Sequence, residues 1–272
     1  MGMTCRICVI QMKTRRTKEA SLRAALEGIR RGAEKGADFA VLPEMFACPY
    51  DTGAFPGYAE EAGGETVRRL SEAAARHGLY VVGGSIPERD GEGKLYNTSF
   101  VFGRDGKLLA RHRKVHLFDV EIPGGIRFRE SDVLSPGEAA TVFPTEFGNM
   151  GLCLCFDLRF PELFRAMTDR GARMVFCPAA FNRTTGPRHW ELLFRARAVD
   201  HQIFTVGAAP AADLSASYVS YGHSIVVSPW GEVTAQAGEE ETLLMAEADL
   251  DQVSAVRAQI PLLKSRKDFY SF

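Results

Sequence analysis

Three residues of this chain carry reactive groups where an apolar strand gives way to a turn. Cys155 closes the run Gly151-Leu152-Cys153-Leu154-Cys155 and is followed by Phe156-Asp157-Leu158-Arg159-Phe160-Pro161-Glu162-Leu163. A thiol at a sharp strand-to-helix junction sits beside N–H groups that favour thiolate and can hold a developing oxyanion. Glu44 follows the buried strand Phe39-Ala40-Val41-Leu42-Pro43, a carboxylate at the rim of an apolar interior where burial raises its pKa and makes it a usable base. Lys114, within His112-Arg113-Lys114-Val115-His116-Leu117-Phe118-Asp119, leaves another strand at the start of a long loop. The three suit attack on an amide. The glutamate takes the thiol proton, the thiolate attacks the carbonyl, and the ammonium steadies glutamate and oxyanion. Ammonia then leaves with the proton, and the same glutamate activates the water that hydrolyses the thioester. No metal or organic cofactor is required.

Each group also has a plainer explanation. Buried cysteines behave mostly as small hydrophobes, Glu44 would serve as a helix cap or surface residue, and Lys114 would be a solvated lysine. Cys48 and Cys177 are rival nucleophiles, each following an apolar segment, but without the strand-to-elbow context of Cys155. His189, His201 or His223 would supply the base of a cysteine-histidine hydrolase. His112 and His116, four apart, flank a strand end and lack the signature of a helical metal pair. Cys5 and Cys8 have metal-pair spacing, yet no second pair exists and the segment reads as a strand interior.

The elements that must hold these groups alternate. A strand over 5–11 leads to an amphipathic helix over 18–35, a buried strand over 38–42 and a helix over 65–77. Strands follow over 79–84 and 96–102, with Arg104-Asp105-Gly106-Lys107 as a hairpin turn into 108–112. From 114 to about 142 periodicity fails, and Pro123, Gly124, Gly125, Pro136 and Gly137 mark a long, functional loop. The second half repeats the alternation: strand 150–155, helix 159–171, strand 173–177, helix 188–201, strands 203–207 and 224–227, and Trp230-Gly231-Glu232-Val233 turning into another strand. This is an α/β pattern, helices layered over two mixed sheets in one domain over 1–272, with a tail over 261–272 that packs on a neighbour.

With 33 basic and 34 acidic residues and a net charge of -1, the chain has no electrostatic footprint for nucleic acid or an anionic membrane, which leaves a small molecule as partner. No apolar stretch reaches the roughly 18 residues that span a bilayer, the first twelve residues lack the sections of a secretory signal, and Arg6 stands where a myristoylation site needs serine or threonine. A cytoplasmic protein with six free thiols is expected.

Leu42-Pro43-Glu44, Arg113-Lys114-Val115-His116-Leu117 and Cys155-Phe156-Asp157-Leu158-Arg159-Phe160-Pro161-Glu162 together resemble the signature of the nitrilase superfamily of carbon-nitrogen hydrolases, a Glu-Lys-Cys triad, over about 5–270. The resemblance implies a four-layer αββα sandwich that dimerises through its second layer. It also implies a further glutamate at Glu130, in Phe128-Arg129-Glu130-Ser131, and an oxyanion hole of Lys114 and the Phe156 N–H. Retention of Glu44, Lys114, Glu130 and Cys155 argues against a catalytically silent scaffold of the same fold, while acyl transfer to an amine would keep the same residues.

Within the superfamily the chain is most similar to the omega-amidase branch, which hydrolyses short dicarboxylic monoamides such as 2-oxoglutaramate and succinamate. The residues carrying this are His116-Leu117-Phe118-Asp119, Ile122-Pro123-Gly124, Phe181-Asn182-Arg183-Thr184-Thr185-Gly186-Pro187, His189-Trp190-Glu191-Leu192-Leu193 and Ala216-Ser217-Tyr218. A sister branch, the deaminated glutathione amidases, shares Arg159-Phe160-Pro161-Glu162-Leu163. A monoamide of this kind leaves a carboxylate opposite the scissile bond, and a guanidinium fork is its natural partner. Arg159 is the first candidate and Arg183 the second, with Tyr50, Phe118, Phe181 and Thr185 expected to line the pocket.

Overall fold

The computed structural model describes residues 2–121 and 127–267. The first half of the chain runs β1 (Thr4–Gln11), α1 (Lys18–Glu34), β2 (Phe39–Val41), α2 (Phe55–Tyr58), α3 (Glu65–His77), β3 (Tyr80–Val82), β4 (Ile86–Arg89), β5 (Leu95–Phe102), β6 (Leu108–Arg113), β7 (Asp119–Glu121) and β8 (Arg127–Arg129). The second half runs β9 (Thr141–Thr145), β10 (Gly148–Leu152), α4 (Pro161–Asp169), β11 (Met174–Pro178), α5 (Gly186–His201), β12 (Phe204–Ala208), β13 (Ile225–Val227), β14 (Val233–Gln236), β15 (Thr242–Asp249), α6 (Asp251–Gln259) and α7 (Leu262–Ser265).

Two mixed sheets stack face to face. One has seven strands in the order β15-β1-β2-β3-β5-β4, with β6 also on β5; the other has six, in the order β14-β13-β12-β11-β10-β9. β1, β2 and β3 are parallel, as are β10, β11 and β12, and antiparallel strands flank them. Both faces of the central strands are covered, which explains why their sequences read as unbroken apolar runs. Strand alternation divides β1 between two cores. Cys5, Ile7 and Val9 face the opposite sheet and meet a layer that includes Phe39, Met150, Leu152 and Phe176, while Cys8 and Ile10 face α1 and α3. The outer face of the second sheet, with Cys153, Val175 and Cys177, is closed by Phe164 of α4 and Trp190 and Phe194 of α5. The expected four-layer αββα sandwich is therefore the observed one. The same division separates Cys5 from Cys8 onto opposite faces, so they do not form a metal pair.

The expected helix over 65–77 matches α3. Two expectations need correction. The segment after Lys114 is not featureless, because Asp119–Glu121 and Arg127–Arg129 pair as a small antiparallel hairpin and a 3-10 turn, Glu130–Asp132, follows. Three-residue strands are too short to show periodicity. Pro123, Gly124 and Gly125 lie outside the described residues, as do Phe269, Tyr270 and Phe272 of the expected interface tail. Further, β10 ends at Leu152 rather than at Cys155, and the regular helix begins only at Pro161. Between them Cys155–Arg159 forms a 3-10 turn, tight enough to bring Asp157 back onto the Leu154 N–H at 3.1 Å.

Gly84 shows how closely the first sheet packs at the site. It sits at φ +58 between β3 and β4, and a Cβ there would lie 2.2 Å from the Pro43 carbonyl oxygen, next to Glu44.

Candidate active site

Glu44 and Cys155 each lie three residues past the C-terminal end of a parallel strand, β2 in one sheet and β10 in the other. Lys114 is the first residue beyond β6, and Glu130 opens the 3-10 turn after β8. The four come from separate segments, and all are buried. Cys155 has φ +44 and Met45, next to Glu44, has φ +49. Such left-handed backbone in non-glycine residues is costly and gathers at functional sites.

The Lys114 ammonium is the hub. Its Nζ donates to Glu44 Oε1 at 3.0 Å and to Glu130 at 3.0 Å on Oε1 and 2.9 Å on Oε2. Burial alone would lower its pKa, but the Glu130 and Glu44 carboxylates outweigh this and hold it well above the usual lysine range. The Tyr50 hydroxyl joins both carboxylates, donating within 2.8 Å of Glu130 Oε1 and 3.2 Å of Glu44 Oε1. Its own pKa is pushed up by burial, then by Glu130 and Glu44, so it stays a phenol able to donate. Glu130 Oε2 also accepts the Phe118 N–H at 2.7 Å.

Glu44 Oε1 further accepts Asn97 Nδ2 at 2.8 Å, and Oε2 accepts the Ala180 N–H at 2.8 Å. Oε2, with the Ala180 N–H as its one hydrogen-bond donor among the described residues, keeps accepting capacity, and the Glu44 carboxylate is close enough to Cys155 to act on its ionisation. The thiol pKa is raised well above its usual value, first by burial and then by Glu44, against the lowering effect of Lys114. A resting thiolate, expected from the strand-to-helix junction, is thus not what the site favours. The helix start that would stabilise it is displaced to Pro161, and a carboxylate lies beside the sulfur instead. The arrangement suits a thiol whose proton moves to Glu44 as it reacts. The Phe156 N–H has no backbone acceptor among the described residues and so is free to meet an oxyanion.

The residues expected to recognise substrate fall in different places. Tyr50 stands on the wall of a cavity of about 240 Å³ shared with Glu44, Ala180, Arg16 and Tyr218, and its ring packs on that of Tyr218 at 4.6 Å. Phe118 packs edge-on to Phe156, centroids 5.3 Å apart. The Arg159 guanidinium lies 5.5 Å from the Phe156 ring and 5.1 Å from that of Phe181. Both of its terminal nitrogens approach His189 Nδ1 at 3.3 Å, and it pairs with no carboxylate among the described residues. Arg183 is exposed, and both its terminal nitrogens already meet Glu239, at 3.2 and 3.1 Å. Thr185 precedes α5 and donates to Asn182 Oδ1.

The rival groups are engaged elsewhere. The Cys48 thiol donates to the Pro49 carbonyl at 3.3 Å, and Cys177 is buried beside Cys153 in the outer core. His223 Nδ1 donates to the Tyr221 carbonyl, and His201 packs on Phe164. His112 and His116 both meet Asp157. Sequence reading assigned no role of their own to Asn97, Asp157 or Tyr218. The first two carried a signal, since Asn97-Thr98-Ser99 is a polar run inside a strand buried along its whole length, and Asp157 is a lone acid between apolar residues.

A sequence model of the family described as carbon-nitrogen hydrolase matches residues 6–258. The chain is 50% identical to the omega-amidase NIT2 of Xenopus tropicalis, over 98% of its own length and 96% of that protein's. It is 49% identical to the omega-amidase NIT2 of Mus musculus, over 98% and 97%. Among solved structures, Saccharomyces cerevisiae Nit3, a member of branch 10 of the nitrilase superfamily, superposes with a TM-score of 0.89 at 40% identity, covering 97% of each chain. An amidase from Nesterenkonia sp. AN1, seen with acrylamide added to its active site cysteine, superposes with a TM-score of 0.79 at 27% identity, over 94% of this chain and 98% of that one.

Proposed function

As a member of the carbon-nitrogen hydrolase family, within the nitrilase superfamily, the chain is an amidase, and we propose that it is an omega-amidase releasing ammonia from short dicarboxylic monoamides, 2-oxoglutaramate and succinamate, through a Cys155 thioester. The observation that carries this reading is the single buried ammonium of Lys114 shared by Glu44 and Glu130 beside the Cys155 thiol. Glu44 takes the thiol proton as the sulfur attacks, and Lys114 and the Phe156 N–H receive the oxyanion. Glu44 gives the proton to departing ammonia and then activates water against the thioester. Glu130, through Lys114 and Tyr50, fixes the ammonium and the base.

Recognition of the distal carboxylate falls to Arg159, whose guanidinium lies in the same turn as the nucleophile and has no acidic partner among the described residues. On this reading Phe118 and Phe181, whose rings lie by Phe156 and the Arg159 guanidinium, bound that side of the substrate site and Tyr50, on the cavity wall beside Glu44, bounds the other; Thr185 shapes it through Asn182. Six buried free thiols fit a reducing cytoplasm. Leu192 and Val199, one heptad apart on α5 and 63% and 43% exposed, give that helix an exposed apolar edge suited to a homodimer contact, and Val199 lies against Gly231, the neighbour of Trp230, itself 51% exposed. Ammonia release from 2-oxoglutaramate, succinamate and deaminated glutathione, side by side with Cys155→Ala as control, tests the reading. Preference for deaminated glutathione would move the chain to the sister activity, dominant hydroxamate formation from hydroxylamine would make it an acyltransferase, and no turnover of any amide would leave a scaffold.

A further inference from the structure

Lys114 and Cys155 belong to different sheets, and the reaction requires the ammonium to stand at a fixed distance from the sulfur. Asp157, wholly buried two residues after the nucleophile, accepts four hydrogen bonds, three of which span this divide. Oδ1 accepts the His116 N–H at 2.9 Å and His116 Nδ1 at 2.8 Å, across 41 residues of sequence. Oδ2 accepts His112 Nε2 at 3.0 Å and the Leu154 N–H at 3.1 Å. His112 and His116 flank Lys114 two residues away on either side, so one carboxylate grips the lysine segment before and after the ammonium and the cysteine turn from below. Each ring has a second anchor. His112 Nδ1 meets Thr141 Oγ1 of β9 at 2.9 Å, and the His116 ring stacks on Phe160, centroids 3.5 Å apart. Burial would raise the Asp157 pKa, but the bonds from His112 and His116 win and hold it well below the usual carboxylate range, so it is acceptor-only.

We propose that Asp157 is a positioning residue for the reaction, with His112 and His116 as its two arms, and that its four-donor clamp sets the separation of the Lys114 ammonium from the Cys155 thiol. The inference rests on the amidase reading of the site. It also sets which ring nitrogens donate to the carboxylate, Nε2 of His112 and Nδ1 of His116. Asparagine cannot replace the clamp, because its NH2 faces donors wherever it points.

The test compares Asp157→Asn and His116→Ala with wild type for kcat per titrated Cys155 thiol, KM, thermal midpoint and the rate of Cys155 alkylation by a haloacetamide. Ångström-scale displacement of a catalytic group costs about a hundredfold, so Asp157→Asn should lose about that in kcat per titrated thiol and His116→Ala about tenfold, with KM within about threefold. Alkylation should slow in both, since a retreating ammonium no longer favours ionisation of the sulfur. Wild-type kcat per titrated thiol, whatever happens to the midpoint, would make Asp157 a fold residue only and overturn the proposal. Should Asp157→Asn fail to fold, the half-buried His116 site decides. A wild type inactive on every amide would sink the amidase reading, and alkylation rates would still judge the clamp.

Discussion

Replacing Arg159 by methionine separates recognition of the distal carboxylate from the chemistry. Methionine keeps an unbranched apolar side chain and removes the charged guanidinium that lies near Phe156 and Phe181. Arg159 is half-buried, its Nε finds no hydrogen-bond partner among the described residues, and burial lowers its pKa. A desolvated cation without a carboxylate is a burden on the folded state, so the thermal midpoint should hold or rise. A substrate carboxylate accepting from the guanidinium gains charge-assisted hydrogen bonds of about 1.5–3 kcal/mol, so the variant should lose about 10- to 150-fold in kcat/KM on succinamate. Butyramide, with a methyl group where succinamate has its carboxylate, should change by less than about threefold. Ammonia release measures both. Arg16→Met is the comparison, because Arg16 is exposed on the wall of the cavity beside Glu44 and Tyr50. Selective loss with Arg16→Met alone moves the carboxylate to that side of the pocket. Equal loss on succinamate and butyramide with a lowered midpoint would make Arg159 structural and refute the reasoning.

Cys155→Ala should abolish ammonia release and leave the fold intact; continued release removes the nucleophile assignment. In the wild type at neutral pH the ultraviolet thiolate absorbance assigned to Cys155 by difference from this variant should be absent, because burial and Glu44 hold the thiol well above its usual pKa. Lys114→Ala should lower the rate at least about a hundredfold, the loss expected for one oxyanion donor, and a near-normal rate would exclude the lysine from the mechanism. His201 is buried against Phe164, and burial, then Arg197, lowers its pKa to about 4. The unfolded chain binds this proton near pH 6.5 and the folded one does not, so stability is full above that pH and falls by up to about 3 kcal/mol as pH drops toward 4. Urea unfolding across that window should show the slope, and its persistence in His201→Leu would assign it to another group.

Elements whose two faces bury different partners were legible because burial writes itself into residue type. The 3.6-residue spacing of Val67, Leu70, Ala73 and Ala74 marks α3, and the apolar run of β2 marks a strand covered on both sides. The short hairpin of β7 and β8 has neither signature, since its side chains are mostly exposed or half-buried and its strands are three residues long. The turn at Cys155 was read as the end of a strand because Gly151 to Cys155 is uniformly apolar, and nothing in residue type distinguishes extended backbone from φ +44. Glu44, Lys114 and Cys155 were legible as reactive types at element ends, and Glu130 only through resemblance to a family. Convergence on one ammonium is a property of sheet stacking, as is the capture of Tyr50 by two carboxylates rather than by the pocket wall alone.

That convergence also decides how the thiol is activated. Glu44 and Glu130 present two buried carboxylates to one ammonium, and the phenol of Tyr50 relieves the excess by donating rather than by adding charge. Ionising Cys155 in place would set a third anion against the same lysine in a buried site, where an uncompensated charge costs several kcal/mol. A helix start at the sulfur would offset part of that cost, and here the regular helix begins six residues later. On the proposed mechanism the proton therefore leaves the thiol when the arriving carbonyl begins to carry the negative charge toward Lys114 and the Phe156 N–H. Glu44 keeps accepting capacity on Oε2 for that moment, and in the proposed reaction the ammonium that anchors it at rest takes up the oxyanion as the base becomes neutral.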